Sequence, residues 1–510
     1  MSGLLEQKQL PQKVSIIDRI ERFGDRIPHP FYMFITLCLA VIFLSWIVST
    51  FGGNITHPLS GDEIKVKNLL SGEGFVYILN SAVSNFIAFK PLGLVLCMML
   101  AVGLVQEVGL ADSAIKQSLL NAPRNFVTAS IFLTGIIGNL ASDAAFILVP
   151  PLAGIIFSAT NRNPVVGIAA GFVAVAAGFT ANVFIAGTDV LLSGISTEAA
   201  RIVEPVEVSP AANWYFMLLS VPLLVILGTL ITDKYIEPRF DKQTKRSDEE
   251  SPLSTENPET YSVNDIQKRA LKWSGYASIV FILGMVALLL PSDSPLKNAD
   301  GGLVPSPFLT GIIPIIMAFF IMNAVVYGVK AGEIKKASDV PDLMAKSLHG
   351  IGGYIVLVFV IAQFIAWFNW SNLAIFFAVN GAEMLAQVEV PKLLMLAMFM
   401  ILAGSMNLIV FSGSAQWAIM APVFIPLFML LDISPEYTQM AYRIADSTTN
   451  IISPTNPYVP MVLALIAKYN PNVKFGTFLA MMVPYAFFLF TTWGAVFLTY
   501  TMLGLPVGPM

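Results

Sequence analysis

Two full charges stand three residues apart in a stretch flanked on both sides by apolar sequence. Arg443 and Asp446 belong to MAYRIADSTTNIISPTNP (440–457), which lies between the apolar segments 417–431 and 458–467. Charge at bilayer depth is costly and is usually kept for a pathway or a binding site. The planar guanidinium of Arg443 suits a carboxylate, which makes it a candidate contact for an anionic solute. An internal pair with Asp446 on the same helix face is the competing reading. Asp446, Asp189 and Asp143 are the candidate groups for a coupling ion or proton, with helix capping as the alternative role at Asp189 and the better one at Asp143. Trp417 offers a flat face to an aromatic ring, although Trp in membrane proteins more often packs or anchors. After one apparent turn, Ser447, Thr448, Thr449 and Asn450 interrupt the periodicity, followed by Pro454 and Pro457. Polar, Pro-containing backbone at that depth is tolerable only in protein or beside a cavity. The stretch therefore predicts a broken transmembrane helix at a solute site.

The elements that must hold these groups follow from composition. Of 510 residues, 56% are hydrophobic and 12% charged, against about 25% charged in a soluble domain, and the mean hydropathy is +0.73. This is an all-α polytopic membrane protein. The net charge of -4 comes with no basic stripe for nucleic acid. His29, His57 and His349 are too scattered for a zinc site, and no cofactor is expected. Cys38 and Cys97 sit inside apolar spans and read as small buried hydrophobes. The N-terminus shows no cleavable signal pattern.

Taken in order, residues 1–28 predict an amphipathic helix on the cytoplasmic membrane surface. The first membrane half, 29–232, contains spans at 31–51, at 75–110 with a break at Lys90-Pro91, at 164–187 with a break at 178–182, and at 214–232. A cytoplasmic loop, 233–272, separates it from the second half, 273–510. That half contains spans at 273–290, 308–328, 351–379 and 475–501, besides the 440–467 region. Segments 125–160 and 393–432 break at Gly138-Asn139 and Ser142-Asp143, and at 411–414. Each predicts a re-entrant helical hairpin rather than a span. Lysine and arginine concentrate before the first span, in 233–272 and in 329–349, which places the N-terminus in the cytoplasm. With both hairpins non-crossing, nine spans result, and the hairpins enter from opposite sides, as an inverted repeat requires.

The repeat is visible in the residues. Ser142 precedes Pro150 in SDAAFILVP as Ser414 precedes Pro422 in SAQWAIMAP, and a Thr/Asn element follows each, Thr180-Ala181-Asn182 and Thr448-Thr449-Asn450. Interrupted apolar segments at matching places in two halves point to a transporter site near the midplane. The bland alternative is hydrogen bonding between helices. Hard oxygens from Asn139, Ser142, Thr180, Asn182, Ser412, Thr449 and Asn450 suit a small cation, so Na⁺ or H⁺ is the expected coupling ion. Half-helix N-termini favour anionic solute groups.

At TDVLLSGISTEAA (188–200), NWYFM (213–217), ITDKYIEPR (231–239), FSGSAQWAI (411–419) and RIADS (443–447), the sequence resembles the AbgT family of aminobenzoyl-glutamate transporters, from about residue 27 onward. No family motif is evident in 240–265. The resemblance implies a homodimer in the bacterial inner membrane, with nine spans and two hairpins per protomer. It also implies transport of p-aminobenzoyl-glutamate and, in some members, export of sulfonamide antimetabolites. Its site positions fall here on Asp189, Asn407, Ser414, Trp417, Pro435, Arg443, Asp446 and Pro454. The expectation is a secondary active transporter working by alternating access on an aromatic carboxylate, not an enzyme. A carrier of another organic anion, such as a dicarboxylate, is the nearest alternative. A channel and an intramembrane aspartyl hydrolase are more remote.

Overall fold

The computed structural model describes residues 29–56, 61, 63–123, 126–141, 143–244, 262–304, 306–349 and 351–509. The segment 1–28, Ser142, the side chain of Asp143 and the centre of the 233–272 loop lie outside the described residues. Helix α1 (Pro30–Thr50) is followed by a two-stranded hairpin, Asn54–Thr56 with Glu63–Lys65. Helices α2 (Gly72–Ile87) and α3 (Lys90–Glu107) make the broken second span. Pro91 lies in the first turn of α3, where its missing N–H costs no helical hydrogen bond. A short α4 (Leu110–Leu120) leads into α5 (Val127–Gly138), a 3₁₀ turn (Asn139–Ala141) and α6 (Asp143–Ala159). This helix–break–helix occupies the first segment expected to form a hairpin.

Helix α7 (Pro164–Ala176) ends ahead of an irregular stretch at 177–186, and α8 (Gly187–Ala200) resumes. From Val165 to Ala176 every residue of α7 is buried, as an all-round apolar helix must be. It packs against both α5 and α6. A Cβ on Gly171 would stand 2.8 Å from Pro150 Cα, so only glycine permits this approach. Next come α9 (Trp214–Ile231), a π turn (Thr232–Ile236) and α10 (Glu237–Thr244). Arg162, just past α6, donates to Glu237 at 2.9 and 2.5 Å, to Asp233 at 2.6 Å and to Thr128 at 2.7 Å. These bonds tie the end of α6 to the π turn.

The second half begins with α11 (Asp265–Leu289), which pairs with α12 (Ile312–Ala331); both α12 and the short α13 (Asp339–Ser347) pack on α3. Helix α14 (Gly352–Trp370) gives way to α15 (Leu373–Gln387) at Ser371-Asn372, where Asn372 adopts φ +61°. The second segment expected to form a hairpin comprises α16 (Lys392–Asn407) and α17 (Gly413–Met429), followed by α18 (Pro435–Thr449), α19 (Val459–Tyr469) and α20 (Phe475–Met502). Helix α17 packs on α8 of the first half, and α18 packs between α16 and α20. The two helix–break–helix units and the interrupted helices that follow them therefore interlock.

Seven stretches among the described residues are long and apolar enough to cross a membrane. Two expectations need correction. Helix α18 does not break after one turn but continues through Ser447 and Thr448 to Thr449. The hydroxyls of Thr448 and Thr449 donate to the carbonyls of Ile444 at 2.6 Å and Ala445 at 2.7 Å, so they are satisfied inside the helix. The break falls at 450–458 instead. Cys97 is exposed on its helix, whereas Cys38 is buried.

Candidate functional site

Helix α18 carries the charged pair of the sequence into the protein interior. Pro435 occupies its first position, where a fixed φ suits helix initiation. That is eight residues before Arg443, or about 12 Å along the axis, so Pro435 shapes the start of the helix rather than the centre of the site. Arg443 and Asp446 are 0% and 1% exposed.

Arg443 does not pair with Asp446. Its Nη2 donates to the carboxylate of Asp189, itself 0% exposed, and to the Thr180 carbonyl at 3.1 Å. Helical side chains lean toward the N-terminus, which carries the guanidinium away from the residue three positions ahead. The second oxygen of Asp189 accepts from the Ala186 N–H at 2.5 Å, so Asp189 caps α8 and neutralises Arg443 at once. Thr180 Oγ1 lies 2.6 Å from Ser447 Oγ and 3.2 Å from the Arg443 carbonyl. The ion pair thus fastens α18 to the break between α7 and α8. Nε and Nη1 of Arg443 have no partner among the described residues.

Asp446 faces the other way, into a cavity of about 260 Å³. The lining divides chemically into Thr180, Thr188, Ser412, Ser414 and Asn450 on the polar side and Phe146, Phe179, Phe411, Tyr442 and Tyr458 among the aromatics, with Leu191 and Leu192. Asp446 is the one charged residue in that lining among the described residues. Tyr442 donates to the Gly413 carbonyl at 2.5 Å, and its hydroxyl lies 3.5 Å from Asp446 Oδ1. A Cβ on Gly413 would stand 3.1 and 3.2 Å from the two Asp446 oxygens. Glycine at the start of α17 therefore lets the carboxylate rest against that helix N-terminus, whose dipole favours it. Gly413→Ala is expected to displace the carboxylate by a few tenths of an ångström at a cost of about 1 kcal/mol. Initial transport rates should fall roughly fivefold while the melting temperature in detergent changes little. An unchanged rate would show that this contact does not matter.

Asn407, the last residue of α16, is fully buried. Its Nδ2 donates to the Asp446 carbonyl at 2.8 Å and to Thr449 Oγ1 and Asn450 Oδ1, both at 2.9 Å. Ser453 donates to the Asn407 carbonyl at 3.0 Å. Asn139 holds the matching place in the first hairpin, its Nδ2 donating to the Val175 carbonyl at 3.0 Å. In both residues Oδ1 is buried and without a partner among the described residues, and such an oxygen calls for an explanation such as a bound ion. Of the other expected cation ligands, Thr180, Ser412 and Asn450 share the cavity, Thr449 stands behind it, and Asn182 is buried outside the lining.

Trp417 is not a platform in this cavity. It is fully buried, stacks on Tyr442 at 4.5 Å, and donates to Ser196 Oγ at 3.0 Å and to the Leu192 carbonyl at 3.2 Å. The chain of bonds continues from Ser196 to Gln439 at 2.6 Å, from Gln439 to Asn213 at 2.7 Å, and from Asn213 to the Glu436 carbonyl at 2.8 Å. Pro454 belongs to the break after α18 and does not line the cavity, whereas Ser414 does. Tyr442 and Gln439 are not among the residues that the sequence singles out, although they lie four residues before Asp446 and Arg443 and so share their faces. Phe146 and Tyr458 carried no local signal.

Residues 15–510 match the model of the AbgT putative transporter family. The p-aminobenzoyl-glutamate transport protein of Escherichia coli (strain K12) is 37% identical over 492 residues, which covers 96% of this chain and 95% of that protein. The solved YdaH transporter of Alcanivorax borkumensis superposes with a TM-score of 0.88 at 36% identity, covering 94% of this chain and all of that one. MtrF of Neisseria gonorrhoeae, described as illuminating a class of antimetabolite efflux pumps, gives a TM-score of 0.90 at 34% identity, with coverage of 97% and 100%.

Proposed function

The chain belongs to the AbgT transporter family, and from that premise we propose that it moves p-aminobenzoyl-glutamate, sulfonamide-type antimetabolites, or both, by ion-coupled alternating access. The observation that carries this reading is the cavity: the Asp446 carboxylate lies among hydroxyl, amide and aromatic groups where the second hairpin meets both broken helices. An aromatic amide of glutamate brings a ring for the aromatic lining and carboxylates for polar groups. Two like charges about 4 Å apart repel by about 4 kcal/mol at an effective dielectric of about 20. That amounts to roughly a thousandfold in affinity. An anionic solute is therefore admitted when a cation neutralises Asp446, either a proton on its carboxylate or Na⁺ held nearby with Asn450 and Asn407. This requirement links solute to ion.

Arg443 is proposed to exchange partners during the cycle, since its Nε and Nη1 have no partner among the described residues. Asp189 is engaged by Arg443 and Ala186, which supports a transporter over a carboxylate-pair hydrolase. Adding the two broken helices to the seven long stretches gives nine spans. On this reading both hairpins are re-entrant, the N-terminus is cytoplasmic, and the protein works as a homodimer in the bacterial inner membrane. Purified protein in proteoliposomes should accumulate labelled p-aminobenzoyl-glutamate or a sulfonamide under an imposed Na⁺ or proton gradient. No movement of either under any gradient would refute the substrate reading; preferential movement of a dicarboxylate would favour the nearest alternative.

A further inference from the structure

We propose that Phe146 and Tyr458, not Trp417, form the surface that receives the aromatic ring of the substrate; the inference rests on the transport reading above. The two rings are stacked with centroids 4.0 Å apart and planes 4° from parallel, and both residues line the Asp446 cavity. A pair held in this way is a preformed aromatic wall, and ring–ring contacts add to affinity beyond the area they bury. Trp417 does not line the cavity: it is fully buried behind Tyr442, and its indole N–H is committed to Ser196.

The wall is also built across the repeat. Phe146 comes from α6 in the first hairpin, and Tyr458 immediately precedes α19 in the second half. The Tyr458 N–H donates to Asn456 Oδ1 at 2.9 Å, and Asn456 Nδ2 donates to the Asn450 carbonyl at 3.0 Å. Asn450 in turn accepts from Asn407 and lines the cavity. The position of the ring surface is thus set by the same backbone break that supplies the polar groups beside Asp446. An occupied polar end and a correctly placed wall support each other, which gives the site a reason to prefer aryl over alkyl acyl groups.

The test compares p-aminobenzoyl-glutamate with hexanoyl-glutamate, which keeps the carboxylates and amide but has no ring. KM and kcat are measured for both in proteoliposomes. Wild-type protein should favour the aryl solute, and Phe146→Leu and Tyr458→Leu should each reduce the aryl-to-alkyl ratio of kcat/KM by about tenfold, chiefly through KM. Tyr458→Phe and Phe146→Tyr, which keep the rings, should preserve the ratio, and they stand in should a leucine variant fail to fold. An unchanged ratio in the folded leucine variants, an equal loss for both solutes, or a lost ratio in the ring-retaining variants would overturn the wall. Wild-type protein that moves neither solute would overturn the transport reading itself.

Discussion

Asp189→Ala should cost about 3–5 kcal/mol of stability, because it leaves a buried guanidinium without a countercharge. Both partners are 0% exposed and no other carboxylate contacts Arg443 among the described residues. A loss of that size is a large share of the total stability of a typical domain. In detergent, the monodisperse fraction of the variant should collapse and its melting temperature should drop sharply. The double variant Asp189→Asn, Arg443→Gln removes both charges and keeps hydrogen-bonding groups, so most of the folding loss should be recovered. Transport should remain lost, because the proposed exchange of partners needs the guanidinium. A single variant as stable as wild type would show that the pair is not the clamp between α18 and the α7–α8 break.

Asp446→Asn should leave the fold intact and uncouple the carrier. The amide fills the same space against Gly413 and beside the Tyr442 hydroxyl. It carries no charge for a cation to neutralise, so the repulsion of about 4 kcal/mol between site and solute disappears permanently. Solute–solute counterflow should persist, while accumulation driven by an ion gradient should fall by at least about tenfold. Full gradient-driven accumulation in this variant would remove Asp446 from the coupling mechanism.

The contrast between these two acids shows what the sequence makes legible. Breaks in apolar segments are local events written in Gly, Asn, Ser and Pro. The interruptions at 139–141 and 177–186 accordingly fall where those residues predict them, whereas the third, 408–412, starts ahead of the predicted 411–414 and leaves Gly413 and Ser414 inside α17. The continuation of α18 through Ser447–Thr449 was not legible, since the same hydroxyls that mark a solute site can bond back to their own helix. Partner choice was less legible still. Spacing along one helix offered Asp446 to Arg443, whereas the partner lies 254 residues away on the cap of α8. Trp417 reads the same in sequence whether it lines a cavity or, as here, is locked behind one by Tyr442 and Ser196. Phe146 and Tyr458 belong to different halves, and only the interlocking of the two units makes them neighbours.

On the proposed coupling, a cation neutralises Asp446 before an aromatic carboxylate occupies the cavity. Equilibrium binding of p-aminobenzoyl-glutamate to purified wild-type and Asp446→Asn protein, across Na⁺ concentration and pH, tests it most directly. Wild-type affinity should rise by tenfold or more, at most about a thousandfold, as Na⁺ increases or pH falls. Asp446→Asn should bind at the tight limit whatever the cation. Wild-type affinity indifferent to both Na⁺ and pH, and equal to that of the variant, would contradict the account.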